Sequence, residues 1–115
     1  MTVKLTEKAV EQSTYIILVS FTDEAGDPVV PKSAVWTLSD KNGVVINGRA
    51  DVVIGSLAAT VPIVLTGDDL IMADNPQRYV LVESVYDSAT YGNDLQLREE
   101  FSFSIDDLRT LADPV

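Results

Sequence analysis

The sequence contains no histidine and no cysteine. Without imidazole, the usual general base near neutral pH and the commonest transition-metal ligand are both missing. Without thiols there is no cysteine nucleophile and no disulfide, so the core alone must hold the fold, as suits a reducing compartment. Serine chemistry is not set up either, because no Gly-x-Ser-x-Gly elbow occurs and nothing resembling an imidazole is available to activate a hydroxyl. Phosphate-cradling loops are missing too: Gly43, Gly48 and Gly55 are spaced as turn residues. No catalytic, cofactor-binding or metal-ligating residue is therefore assigned, and the chain is expected not to be an enzyme. Spacing does not exclude a glycosidase-type carboxylate pair, but acidic residues spread over loops and outer faces read first as solvated surface.

Positive charge is scarce. Eight basic residues against eighteen acidic ones give a formal charge of −10, which repels phosphate backbones and removes the counterion-release drive for nucleic-acid binding. Nucleic acid and membranes are not expected as partners, and the charge reads as a solubility device. Long apolar runs are also missing: none approaches the ~18 residues that span a bilayer. The start, Met1-Thr2-Val3-Lys4-Leu5-Thr6-Glu7, has no signal-peptide apolar region. The expectation is a complete chain made in the cytosol without a signal peptide.

What is present is enough for one folded unit. At 115 residues, 46% hydrophobic and 23% charged, the chain lies far from the disordered range. We expect a single domain over residues 1–115, with its well-defined core at about 13–105 and looser ends. Apolar residues alternate instead of recurring at helical spacing, in short runs separated by Gly, Pro, Asn and Asp. In Thr14–Thr22 the residues Tyr15, Ile17, Val19 and Phe21 share one face, with Ile16, Leu18, Ser20 and Thr22 on the other. Apolar residues on both faces predict a central strand, ended by the turn Asp23–Pro28.

Ala34–Ser39 alternates around Trp36, the candidate centre of the core. Asp40-Lys41-Asn42-Gly43 predicts a hairpin turn returning as a short strand, Val44–Ile46, and Asn47-Gly48 marks a second turn. A strand is expected at Asp51–Ile54, and another in Ala58–Leu65 with Val61, Ile63 and Leu65 inward. Pro62 argues for an edge position there. Thr66–Leu70 reads as a turn with at most one helical turn, capped by Thr66 or Asp68, and Asp74-Asn75-Pro76 ends the connection. In Gln77–Tyr86 the set Val80, Val82, Ser84 and Tyr86 is the better core face, because it leaves Glu83 in water. The last strand places Leu95, Leu97, Phe101, Phe103 and Ile105 inward, with Glu99 expected at a rim or distortion. A register setting Glu83 opposite Arg98 satisfies both faces. Met1–Gln12 is expected to supply a first strand, and Asp106–Pro114 a short helix or frayed end.

About seven strands at this spacing predict an all-β, antiparallel immunoglobulin/fibronectin-like β-sandwich without a disulfide, a small Greek-key barrel being the alternative. Oxygen-rich loops at Asp23–Asp27, Asp40–Asn42 and Thr66–Asp69 offer hard ligands of the kind calcium takes, but none matches a calcium-loop pattern, and the residues read as turn formers. Tyr91, beside Gly92 and Asn93, reads equally as an exposed contact or as a lid over the sandwich end.

The stretch Phe21–Pro31, then Ala34-Val35-Trp36-Thr37-Leu38-Ser39-Asp40 and Asn42–Asn47, resembles the small immunoglobulin-like proteins encoded among the structural genes of tailed bacteriophages. Val61–Leu70 and Arg78–Glu83 fit the same layout, so the likeness spans Thr14 to Ile105. The resemblance implies a virion component, of capsid or tail, made in the host cytoplasm and acting by contact with phage structural proteins or by self-association through a sheet face or edge. The alternative is a free-standing module binding carbohydrate or a cell surface through Tyr91 and Tyr86 with their acidic neighbours.

Overall fold

The computed structural model describes residues 2–71 and 76–106, the side chain of Thr2 excepted; the expectations for Asp74-Asn75 and for the segment after Asp106 lie outside the described residues. Among the described residues eight strands form two layers: β1 (Thr2–Lys4), β2 (Ala9–Val10), β3 (Thr14–Ser20), β4 (Ser33–Ser39), β5 (Val52–Val53), β6 (Thr60–Thr66), β7 (Gln77–Ser88) and β8 (Gly92–Asp106). The larger sheet runs β1-β8-β7-β4-β5, with β2 also on β8; the smaller is the antiparallel pair β3-β6. β1 and β2 join β8 in parallel and all other pairs are antiparallel. This is the expected all-β sandwich.

Alternation builds the core, because each strand turns every second side chain inward. Ile17, Val19, Ile63 and Leu65 of the small sheet pack onto Leu38, Val80, Val82 and Phe103 of the large one, each at most 2% exposed. The Tyr15 and Phe103 rings stack across the layers at 4.7 Å, and the Tyr15 hydroxyl donates to the Glu7 carbonyl at 2.6 Å. Trp36 is buried in the same cluster. The inner set of β7 is Val80, Val82, Ser84 and Tyr86, as alternation indicated. Arg78 belongs to that set as well. Its guanidinium is fully buried and donates to the carbonyls of Gln77 (2.7 Å) and Ile71 (2.9 Å). Glu99 lies opposite Val82 and is only partly buried, bordering a crevice with Val19, Phe21 and Leu97 where the core runs out.

Two expectations change. β3 is not a central strand, since it pairs on one side only, with β6. Its second apolar set faces outward, Ile16 being 56% and Leu18 66% exposed. Val44–Ile46 is reduced to a single bridge, Ser39 to Val45. The turn closed by Asp40 and Gly43 is followed at once by Asn47 and Gly48, both at positive φ, so the chain reverses before a ladder can grow. Pro62 sits on an edge strand as expected, and Thr66 is the N-cap of a single 3-10 turn, Gly67–Leu70.

Candidate interaction surface

At one end of the sandwich the Asp23–Asp27 turn meets the β7–β8 hairpin tip. The Asp23 carboxylate caps its own turn, accepting from the amides of Ala25 (2.9 Å) and Asp27 (3.0 Å). Asp40 does the same for Asn42 and Val44. These oxygens close turns, the role that short acidic side chains play when they substitute for backbone acceptors. Glu24 reaches the hairpin and accepts from the Tyr86 hydroxyl (3.0 Å) and Ser88 Oγ (2.9 Å). Burial, then the Glu24 carboxylate, push the Tyr86 phenol above its ordinary pKa.

Lys32 lies between Asp94 (2.6 Å) and Asp87 (3.2 Å), and its hydrogen bonds, first to Asp94 and then to Asp87, raise its pKa. Asp87 is held below the carboxylate range chiefly by the Asp94 amide, with Lys32 assisting. Tyr91 stands 68% exposed at this tip, so it does not fold back over the sandwich. Tyr86 does not join it as a surface aromatic: it is 7% exposed and spent on Glu24.

A second cluster joins the 3-10 turn to the β4–β5 connection. Asp69 is fully buried and accepts from Arg49 Nε (2.7 Å), Asn47 Nδ2 (2.9 Å) and the Thr66 amide (3.0 Å). Burial alone would raise its pKa; the donors outweigh burial and hold it below the usual value. This carboxylate is structural, with its oxygens occupied by donors from two loops. Among the described residues no group of acidic side chains is arranged to hold a metal ion.

The outward face of the small sheet has a different chemistry. β3 reads Thr-Tyr-Ile-Ile-Leu-Val-Ser and β6 Thr-Val-Pro-Ile-Val-Leu-Thr, with no charged residue in either. Register sets Ile16 beside Val64 and Leu18 beside Pro62, so the exposed apolar side chains form one patch, rimmed by Thr14, Ser20, Thr60 and Thr66. Ser20 and Thr60 hydroxyls meet at 3.2 Å across one end. On the opposite side of the molecule, a cavity of about 240 Å³ lies over Ser33, Val35, Glu83, Val85, Gln96 and Arg98. There Glu83 and Arg98 face each other in register, 3.4 Å apart.

Sequence reasoning brought out Tyr91, Trp36 and the Glu83–Arg98 pair, and missed Ile16, Leu18 and Val64 as surface. The signal for that patch was Pro62, which already argued that its strand was an edge. No protein-family model matches the chain, and no curated protein or solved structure is significantly similar to it.

Proposed function

We propose that this chain is a non-catalytic contact protein, a virion component of a tailed phage that binds other structural proteins through the outward face of β3–β6. The observation that carries the reading is an apolar, charge-free strand pair on a chain of net charge −10. Interface centres are depleted in charged residues in this way. A two-layer, all-β sandwich in which a β3–β6 pair faces a sheet containing β4, β7 and β8 supports this reading, since immunoglobulin-like domains are two-sheet sandwiches of this kind. The test is to purify virions of the phage or prophage that carries the gene and to assay them for the chain by mass spectrometry and co-sedimentation. Stoichiometric recovery that Leu18→Glu abolishes supports the reading; particles free of the chain, and unable to bind it, overturn it.

The exposure of Tyr91 beside acidic neighbours favours one second reading, a carbohydrate- or cell-surface-binding module. It requires a saturable glycan signal that Tyr91→Ala weakens; a glycan array without hits removes it.

A further inference from the structure

The small sheet has two strands and two edges, and only one edge is guarded. The bonds from Phe21 N to Ala59 O and from Gly67 N to Ser13 O fix the alternation of the β3–β6 ladder. Odd-numbered residues bond across the pair, and even-numbered ones turn their backbone groups outward. On β6 the outward set includes Pro62, which has no N–H, and Thr66, whose amide is taken by Asp69, so a strand adding there meets a broken row of donors. On β3 the outward set is Thr14, Ile16, Leu18 and Ser20. It contains no proline, and among the described residues no strand pairs with it.

The layer beneath this edge is incompletely covered. β3 sits over β8, as the Tyr15–Phe103 stack shows, and β1 lies beyond β8 in the larger sheet. Val3 is paired with Phe101 and shares its inward face. Val3 and Leu5 pack against the core yet stay partly exposed, because a two-stranded layer does not reach across them. Further along the same flank, Glu99 borders the crevice with Val19, Phe21 and Leu97. Its side chain is partly buried among apolar groups, and among the described residues no hydrogen bond or ion pair reaches its carboxylate. A carboxylate so placed is stabilised by a cation.

We infer that the β3 edge is a strand-addition site for a basic, extended segment of a partner protein. Backbone geometry selects the shape, since outward N–H and C=O groups at Ile16, Leu18 and Ser20 are satisfied by another extended strand. The layer beneath selects the side chains. Alternate residues of the added strand turn inward, where apolar ones cover Val3 and Leu5 and a lysine or arginine at the crevice end meets Glu99. Charge selects the source. A chain of net charge −10 attracts a cationic segment and repels a second copy of itself, and the β3 edge of a second copy brings no cation to Glu99, because β3 has no charged residue. The inference stands apart from the outward β3–β6 face, since it uses the backbone of the edge and not the side chains of the face.

The probe is a short synthetic peptide of alternating valine and threonine with one lysine at an inward position near either end, so that both strand directions are sampled. Three controls accompany it: glutamate for the lysine, valine for the lysine, and N-methyl groups on the amides that would face β3. Each is titrated into the isotope-labelled full chain and followed by amide resonances and hydrogen exchange. The expected result is saturable binding of the lysine peptide that shifts the amides of Ile16, Leu18 and Ser20, protects them from exchange, weakens with salt and is lost on N-methylation. Glu99→Gln should weaken the lysine peptide about fivefold and leave the all-valine peptide unchanged. Absence of binding, shifts confined to other residues, equal binding of the glutamate peptide or an unchanged affinity in Glu99→Gln overturns the proposal, and so does protection of the same amides by self-association without peptide. Virion binding without peptide binding would sink this inference and leave the contact-protein reading standing; peptide binding with particles free of the chain would do the reverse.

Discussion

Arg49 Nε lies 2.7 Å from a carboxylate oxygen of Asp69, and the two ends of this bond live in different media. The Arg49 side chain is 41% exposed and that of Asp69 is fully buried. The pair ties the loop after the Asn47-Gly48 turn to the 3-10 turn that follows β6, so one carboxylate fixes two connections.

Because the folded-state pKa of Asp69 is depressed, its contribution is present above the unfolded value of ~3.9 and is lost as pH falls through the folded value. Thermal melts from pH 7 to pH 2 should show an acid limb below about pH 4 that Asp69→Asn flattens. At neutral pH, Asp69→Ala leaves Asn47, Arg49 and the Thr66 amide without their acceptor, and should cost about 3 kcal/mol in urea unfolding.

Leu38 and Leu18 separate core from exposed face. Leu38 is 0% exposed, and Leu38→Ala should destabilise by about 2–4 kcal/mol through lost burial and the cavity left behind. Leu18→Ala should change stability by less than about 0.5 kcal/mol. Equal losses at the two sites would mean that the outward face of β3 is packed.

The Glu83–Arg98 pair is cross-strand and open to water, with side chains 41% and 62% exposed. A double-mutant cycle on Glu83→Ala and Arg98→Ala should give a coupling of only a few tenths of a kcal/mol, fading at high salt.

Pro62→Thr restores an N–H in the middle of the open β6 edge. We expect the variant to aggregate on heating at concentrations where the parent stays clear, read by light scattering, since the edge then offers consecutive outward donors at residues 60, 62 and 64, only the Thr66 amide being taken, by Asp69.

Much of this architecture is legible in the residues. Period-two alternation identified the inner faces of β3, β4, β6, β7 and β8, and matching the polar sides of β7 and β8 set Glu83 against Arg98, the observed register. Positions whose meaning depends on the number of layers were not legible. Ile16 and Leu18 look like the second face of a buried strand, and only the lack of a layer above β3 among the described residues makes them surface. Arg78 and Asp69 look like ordinary surface charges, because the carbonyls of Ile71 and Gln77 and the side chains of Asn47 and Arg49 that receive them converge only in the folded chain. The exposed apolar face was thus hidden by the same apolarity that defines it.

The parallel pairing of β1 with β8 places Thr2 opposite Glu100, and β7 and β2 depend on the same strand. A nascent chain cannot seat β1 until β8 has left the ribosome. Until then, the small sheet has only β4, β5 and β7 of the larger layer to close over. Loss of β8 by premature termination would leave β1 and β2 without their partner and open one edge of β7, so a truncated translation product should be handed to cellular proteases instead of persisting as a partial sandwich.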